Sequence, residues 1–334
     1  MKQKIFTNFL MVFLPFFLFL FLSNICIGQN DITNGSNRTA YKDTVVRELT
    51  IIHHITIIDN QPLLKNDTII HSDTIVHQSF VPVPVPTGLI RGSMEVPLVK
   101  DTNWFIQHHY YCMEYDTAQR HSVWVAYKFF DEYNVKNETR TDAWAFDPLI
   151  PKQYQSLNST TQTFYEFGYD RGHLIASEDR VFNKLANEET FYFSNMSPQL
   201  SWFNQHIWKY LEESVRKWAQ SSDCDTLYVV TGGAINEGVE VIGKLTTRNN
   251  VTVPKYYFKA LLKRKGDSFD GIAFWLENKT HDTTKPNHTY SITIRELEEK
   301  TGIDFFPNLR FAVPDNPNLE DEVETTIDIT KWKF

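Results

Sequence analysis

The chain has 334 residues, of which 42% are hydrophobic and 22% are charged, and its formal net charge is -8 at pH 7. This length is enough for more than one structural unit, and the hydrophobic content excludes a wholly disordered chain. The negative charge argues against tight, non-catalytic binding of nucleic acid, which draws its affinity from a basic surface. A local cationic groove remains compatible with this charge balance.

The N-terminus has the outline of a secretory signal peptide. Lys2 and Lys4 precede an almost wholly apolar run over residues 9–22, and Gly28 is a small residue at the end of the segment. The run is shorter than the roughly 18 apolar residues expected of a membrane span, which favours cleavage near Gly28 over an uncleaved anchor. We therefore expect residues 1–28 to be a signal peptide, with no stable membrane span after its removal. The protein is then expected to be secreted, or to lie in the periplasm or cell envelope.

Residues 29–91 differ in composition from the rest of the chain. Asp-Thr-hydrophobic units recur, as at Asp43 and Asp67, and prolines alternate with valines over residues 81–86. Alternating prolines favour polyproline II and cannot occupy a central strand. We interpret this segment as an extended spacer, with a small β module or an oligomerisation stalk as the alternative. Residues 92–334 are long enough to form one sizeable catalytic domain with its own core.

Apolar and β-branched runs in this domain predict strands, and apolar residues at three- and four-residue steps predict helices. The predicted strands are residues 110–113, 123–130, 191–193, 227–231, 256–262 and 271–276, and the predicted helices are residues 202–220 and 294–301. A turn is expected over residues 194–198, which contain Ser, Asn and Pro. Because strands and helices do not alternate regularly, the pattern indicates an α+β fold, not a doubly wound parallel sheet.

Two segments carry the residues with catalytic chemistry. Residues 169–174 read Tyr-Asp-Arg-Gly-His-Leu, and residues 194–213 join a polar turn to an amphipathic helix. Hydrolysis of a phosphodiester needs a base for water, positive charge beside the transition state and stabilisation of the leaving oxygen. A histidine, an arginine and an oxygen-bound divalent cation supply these roles. His173, Arg171 and Asn204 are the candidates.

With further segments in the same order, the chain resembles the DNA/RNA non-specific endonucleases, the family of bacterial secreted nucleases and mitochondrial endonuclease G. The resemblance covers roughly residues 98–309. Its other motifs are the strand at residues 124–128, the Thr-Gly-Gly turn at residues 231–233, the Val-Pro strand that ends at Lys259 and the closing segment at residues 294–306. The resemblance implies a ββα-metal core (His-Me finger) set between antiparallel sheets.

The resemblance also implies a role for each matching polar residue. His173 matches the general base, and an imidazole suits this task because its ordinary pKa lies near physiological pH. Asn204 matches the single direct protein ligand of the metal. An oxygen ligand that leaves the other positions to water suits Mg²⁺, with Mn²⁺ as a substitute. Glu212 matches a carboxylate that orients the waters on the metal.

Three more residues are placed by resemblance near the scissile phosphate. Arg171 and Asn195 match residues beside it, where an arginine offsets developing negative charge. Arg140 aligns loosely with a second phosphate-facing arginine. The local positive potential that the acidic chain needs for a polyanionic substrate is expected from Arg140 and Arg171 together with Arg180 and Lys184.

The neighbours of these residues carry simpler expectations. Asp170 is expected either to orient His173 or approach the metal, or to form a structural salt bridge or turn hydrogen bond. Gly172 is expected to allow a tight turn. The helical spacing of Trp202, Trp208 and Trp218 favours core packing over base stacking.

The two cysteines that remain after signal cleavage, Cys112 and Cys224, leave two alternatives open. Export to an oxidising compartment permits a single disulfide between them, and a pair of buried thiols is the equal alternative. Neither residue resembles a catalytic cysteine.

The prediction is a secreted, magnesium-dependent endonuclease that hydrolyses DNA and RNA with little sequence preference. By resemblance, it would leave a 5′-phosphate and a free 3′-hydroxyl. One alternative is a catalytically inactive surface binding module. Another is a phosphodiesterase for a different anionic polymer or a small cyclic nucleotide. The sequence does not indicate an oligomeric state.

Overall fold

The computed structural model describes residues 94–333, so the expected signal peptide and spacer lie outside the described residues. The strands are β1 (Phe105–Gln107), β2 (Cys112–Asp116), β3 (His121–Phe129), β4 (Tyr169–His173), β5 (Met196–Leu200), β6 (Thr226–Gly233), β7 (Val241–Leu245), β8 (Val251–Pro254), β9 (Tyr256–Lys265), β10 (Ser268–Glu277) and β11 (Ser291–Ile292). The α-helices are α1 (Lys184–Glu189), α2 (Ser201–Phe203), α3 (Lys209–Ala219), α4 (Ile294–Thr301) and α5 (Leu319–Thr325). A π turn, Asn204–Trp208, joins α2 to α3. We call α2, the π turn and α3 together the site helix.

Seven strands form one antiparallel sheet in the order β1-β2-β3-β6-β9-β10-β11. Alternate residues of a strand point to opposite faces of the sheet. On β6, Leu227 and Val229 therefore join the core that packs under the site helix. Tyr228 and Val230 join the core on the other face, which also contains apolar residues of α4 and α5. Both faces are covered, which explains why β6 is a nearly continuous apolar run.

A separate pair of antiparallel strands, β4 and β5, leads directly into the site helix. This strand-strand-helix unit confirms the ββα core within an α+β fold. A third, smaller core packs beside the pair and includes Phe164, Phe193, Met196 and Val253. The β4–β5 pair therefore lies outside the main sheet, between the third core and the site helix, which covers the larger core.

The expectation of a strand at residues 191–193 and a turn at residues 194–198 is wrong. Tyr192 forms only an isolated bridge, and Phe193–Asn195 is a 3-10 helix. The strand is β5, in the segment where Ser, Asn and Pro predicted a turn. Among the described strands, β5 pairs only with β4, so it is an edge strand. Proline is tolerated in an edge strand because its missing N–H group need not bond to a second neighbour.

The expectation of a closing helix at residues 294–301 is confirmed. The closing helix spans Ile294–Thr301 and begins with a capping box between Thr293 and Glu296. Cys112 and Cys224 are both buried free thiols, which is the second of the two alternatives. Among residues 94–333, no helix combines the length and the apolar character that crossing a bilayer requires.

Candidate active site

The candidate residues meet around one segment, residues 170–179, which runs from β4 into the loop that follows. Arg171 and His173 are two residues apart on β4, so their side chains leave the same face of the strand. Gly172 faces the other way, and a Cβ there would overlap the side chain of Gln199. Close approach to Gln199, and not a tight turn, is therefore the reason for glycine at this position.

His173 lies in a corner formed by two aromatic rings. Its ring centroid is 5.0 Å from that of Phe191, at an interplanar angle of 87°, and 5.5 Å from that of Trp144. Its Nε2 atom is buried and has no hydrogen-bond partner among the described residues. Burial, followed by the positive charges of Arg140 and Arg171, lowers the pKa of His173 to about 3. The imidazole is therefore neutral at physiological pH and able to accept a proton.

Arg171 is held mainly by an aromatic ring. Its guanidinium carbon is 3.5 Å from the centroid of the Trp144 ring, and its NH1 group donates to the carbonyl of Gln162 at 3.3 Å. Within residues 94–333, no carboxylate lies at ion-pair distance from Arg171. Its positive charge is therefore available to an anionic ligand.

Arg140 reaches the same corner from a different loop. Its guanidinium carbon is 4.8 Å from the centroid of Phe191, its Nε donates to Asp142 at 2.8 Å and its NH1 donates to Ser177 at 3.0 Å. Ser177 belongs to the segment that follows His173. The structure thus brings Arg140 beside His173, although part of its charge is compensated by Asp142.

Asp170 organises the start of the site helix. Its carboxylate accepts hydrogen bonds from Ser201 at 2.7 Å, from Nδ2 of Asn204 at 2.9 Å and from Gln205 at 2.9 Å. Because the amide nitrogen of Asn204 is engaged in this way, its Oδ1 atom is directed elsewhere and remains an acceptor. Asp170 therefore contacts Asn204 and not His173.

The π turn aligns Asn204 with Glu212. In a regular α-helix, side chains eight residues apart are offset by about 80° around the axis. The π turn, Asn204–Trp208, takes up one additional residue and reduces this offset to about 20°. The two side chains therefore share one face of the site helix, two turns apart. π turns of this kind are frequent at functional sites.

Glu212 lies in a charged environment between the site helix and the main sheet. Burial, offset in part by the positive charge of Lys259 and reinforced by the negative charge of Asp179, raises the pKa of Glu212 to about 7. Lys259 is fully buried, donates to Thr231 at 3.2 Å and lies 4.3 Å from the Trp208 ring centroid. The carboxylate of Glu212 is thus supported by a buried cation of the sheet.

The expectation that Asn195 lies near the scissile phosphate stays a prediction, and in the structure the side-chain amide of Asn195 binds backbone groups. Asn195 is fully buried, and its Nδ2 group donates to the carbonyls of Ile175 and Thr190 at 3.0 and 2.8 Å. Its Oδ1 atom accepts from the Ile175 amide at 3.0 Å. Its amide is occupied by backbone groups, so Asn195 holds the chain that follows His173.

Arg180 is likewise a structural residue and not part of a cationic groove. It is fully buried, its guanidinium carbon lies 4.6 Å from the centroid of Tyr127, and it donates to the carbonyl of Lys128 at 3.2 Å. Lys184 forms an ion pair with Glu188 at 3.7 Å. The positive charge beside His173 comes from the other two arginines.

Asn204 and Glu212 are the residues that fit a divalent metal. An amide oxygen and a carboxylate are hard oxygen donors, which Mg²⁺ and Mn²⁺ prefer. Asp170 directs the oxygen of Asn204, and the π turn places Glu212 on the same helix face. The donor chemistry therefore matches the expected metal site.

Sequence reasoning missed three features of this site: the Trp144 and Phe191 corner, the contact of Asp170 with Asn204, and the π turn. Trp144 lies outside the recognised motifs, and Phe191 lies in the run that was interpreted as a strand. The residue types alone offered no signal for the corner, because backbone pairing between distant segments brings the two rings together. The Ala145 amide donates to the Phe191 carbonyl at 3.3 Å.

Comparison with known proteins gives a consistent result. A sequence profile of the DNA/RNA non-specific endonuclease family matches residues 95–312. The chain is 31% identical over 216 residues to nuclease C1 of Cunninghamella echinulata var. echinulata, covering 61% of this chain and 83% of that protein. It is 28% identical to human mitochondrial endonuclease G, covering 60% of this chain and 68% of that protein. A chain of the solved EndoG/EndoGI complex matches with a TM-score of 0.53 and 27% identity, over 61% of this chain and 86% of that chain.

Proposed function

We propose, from the premise that this chain belongs to the DNA/RNA non-specific endonuclease family, that it is a magnesium-dependent endonuclease acting on both DNA and RNA. Family membership supports a phosphodiester-hydrolysing enzyme with nucleic acid substrates. The observation that carries the finer proposal is the meeting of a neutral histidine, an unpaired arginine and a directed amide oxygen around residues 170–179.

His173 would act as the general base. A neutral imidazole removes a proton from water, and the resulting hydroxide attacks the phosphorus atom. This attack would break the bond between phosphorus and the 3′ oxygen, which would leave and take a proton from water, giving a 5′-phosphate and a free 3′-hydroxyl. Because water is the nucleophile, the 2′-hydroxyl of RNA is not required, and both nucleic acids can serve as substrates.

Arg171 and Arg140 would offset the negative charge that develops on the phosphate oxygens. Contacts to the phosphate backbone carry no direct sequence information. An active site that binds its substrate in this way therefore cuts with little sequence preference.

Asn204 would hold the divalent cation, Mg²⁺ with Mn²⁺ as a substitute, and Glu212 would orient its water ligands. A cation bound there supplies positive charge that stabilises the leaving oxygen. Asp170 would keep the Asn204 oxygen directed toward the cation, as the partners of metal ligands commonly do.

The proposal includes export. The basic residues and short apolar run of residues 1–28 support a cleaved signal peptide. The mature protein would be secreted or remain in the periplasm or cell envelope, with residues 29–91 as a spacer before the nuclease domain.

The test is digestion of supercoiled plasmid and total RNA by the purified mature protein, with Mg²⁺, with chelator and with His173→Ala. We expect both polymers to be degraded only when Mg²⁺ and His173 are present. His288→Ala, which changes an exposed histidine, is the matched control and should retain activity. Intact polymers across a range of divalent metals would instead favour a binding module or another phosphodiester substrate.

A further inference from the structure

Trp144 contacts more of the candidate catalytic groups than any motif residue does. One face carries the Arg171 guanidinium at 3.5 Å, and the His173 ring lies 5.5 Å away. The ring also meets Phe191 edge to face, with centroids 4.9 Å apart at 87°. Arg140 lies 5.9 Å from the Trp144 centroid, so both arginines and the histidine surround one indole.

The position of Trp144 is set by its backbone. The Trp144 amide donates to the Asp142 carbonyl at 2.8 Å, and Asp142 adopts a positive φ of 49°. Both backbone groups of the next residue, Ala145, are hydrogen-bonded to the segment before β5. Its amide donates to the Phe191 carbonyl at 3.3 Å, and its carbonyl accepts from the Phe193 amide at 3.0 Å. The indole is therefore held by the segment that leads into β5, independently of the arginine it contacts.

Stacking suits an arginine whose charge must remain available. A planar guanidinium over an aromatic face gains cation–π and stacking energy, and its N–H groups, which lie in the guanidinium plane, stay free for an oxyanion. A carboxylate partner would fix the side chain equally well but would neutralise it. Arg140 has such a partner in Asp142, whereas Arg171 has Trp144.

We propose that Trp144 is a positioning residue for phosphodiester hydrolysis: it holds the Arg171 guanidinium beside His173 while leaving the positive charge of Arg171 unpaired for the substrate phosphate. This inference rests on the proposed function. A tryptophan that served only the small third core would affect stability but would have no specific relation to Arg171.

The first experiment is a double-mutant cycle between Trp144→Leu and Arg171→Ala, with kcat and KM measured on DNA at saturating Mg²⁺. Loss of one cation–π contact corresponds to a decrease of about 3- to 30-fold, which we expect mainly in kcat. Trp144→Phe keeps an aromatic face and should restore most of the rate. In the Arg171→Ala background, Trp144→Leu should cause little further loss, because the group that it positions is absent.

The control is Trp275→Leu. Trp275 is also partly buried, stacks on Tyr256 at 4.8 Å and has Lys300 at 5.9 Å, but it packs in the core on the other face of the main sheet. It should change stability without changing kcat. Equal losses from Trp144→Leu in the presence and absence of Arg171 would overturn the proposal.

Two further measurements keep the result interpretable. Arg171→Lys keeps the charge but loses planar stacking, so kcat should fall nearly as much as in Arg171→Ala. This variant tests the proposal even if Trp144→Leu does not fold.

NMR of the Arg171 Nε–H group needs no activity: the indole ring current should shift this proton upfield, and Trp144→Phe should reduce the shift. An inactive wild type with this shift would refute the nuclease function alone, and an active enzyme without it would refute the stack.

Discussion

Within residues 94–333, two regions hold oxygen donors suited to a divalent cation, and they differ in whether those donors are already paired with positively charged side chains. On one face of the main sheet, oxygens of Glu298, Asp304 and Glu324 lie within 4.8 Å of one another. Arg295 binds Glu324 at 2.5 Å and Glu298 at 3.4 Å. On the other face, the candidate site has only one amide and one carboxylate, yet a neighbouring residue directs the amide oxygen outward.

The comparison shows that the number of carboxylates does not identify a metal site. In the acidic cluster, burial and the negative charge of Glu298, offset in part by the positive charge of Arg295, raise the pKa of Glu324 to about 8. These carboxylates are paired with Arg295 and Arg310. In the candidate site, the Nδ2 group of Asn204 donates to Asp170, so the Oδ1 atom of Asn204 remains an acceptor.

The largest expected effect is on kcat, and it should distinguish the proposed general base, His173, from the acidic cluster of Glu298, Asp304 and Glu324. We expect His173→Ala to lower kcat by about 100- to 10,000-fold, the usual contribution of general base catalysis. Glu298→Gln should leave kcat within a small factor of the wild type, because Glu298 packs on the opposite face of the sheet. Steady-state kinetics on plasmid DNA and thermal unfolding of both variants provide the measurement. A fully active His173→Ala enzyme that unfolds normally would exclude His173 as the base.

The next effect tests which region binds the cation. Mg²⁺ should raise the Tm of the wild type, because a ligand that binds only the folded state stabilises it. Asn204→Ala should abolish this increase and reduce Mg²⁺-dependent activity by about 100-fold, since even the residues that support a ligand contribute about 10- to 100-fold. Glu324→Gln should retain both. If the Tm increase instead depends on Glu324, the assignment of the two regions must be reversed.

A smaller effect is expected from the residue that directs the ligand. Asp170→Ala should raise the Mg²⁺ concentration for half-maximal activity by about 10-fold, because Asn204 loses the acceptor that orients its amide. Gln205→Ala removes another donor to the same carboxylate without touching Asn204, and it should have little effect. Mg²⁺ titrations of activity for both variants decide the point, and equal shifts would contradict a specific role for Asp170.

The smallest effect concerns stability at the acidic cluster. The folded-state pKa of Glu324, about 8, lies above its ordinary value of 4.5. Between these values the folded state holds a proton that the unfolded state has lost, so the contribution of Glu324 to stability falls as the pH rises through this window. The Glu324→Gln side chain cannot titrate. Between pH 5 and pH 9, the free energy of unfolding of this variant should therefore fall less than that of the wild type, by on the order of 1 kcal/mol. Urea unfolding of both proteins at these pH values tests this, and parallel pH dependences would be inconsistent with it.

Much of the fold could be predicted from the sequence where the signal is local. The apolar run at residues 227–231 predicted the strand β6, and the apolar spacing over residues 294–301 predicted α4 with its observed bounds. The prediction failed at residues 191–198, where local composition favoured a turn. There, pairing with β4 outweighs the turn preference of Ser, Asn and Pro.

The sequence by itself determined which catalytic residue types are present and how they are spaced: Arg171 and His173 two residues apart, and Asn204 and Glu212 eight residues apart within one predicted helix. Only the tertiary structure decided the hydrogen-bond partners of Asn195, whose side-chain amide binds buried backbone groups. The tertiary structure also decided the partner of Arg171, because backbone pairing between distant segments places Trp144 beside it. Periodicity and spacing describe neighbours within one element, whereas which groups are buried, paired or left available depends on contacts between elements.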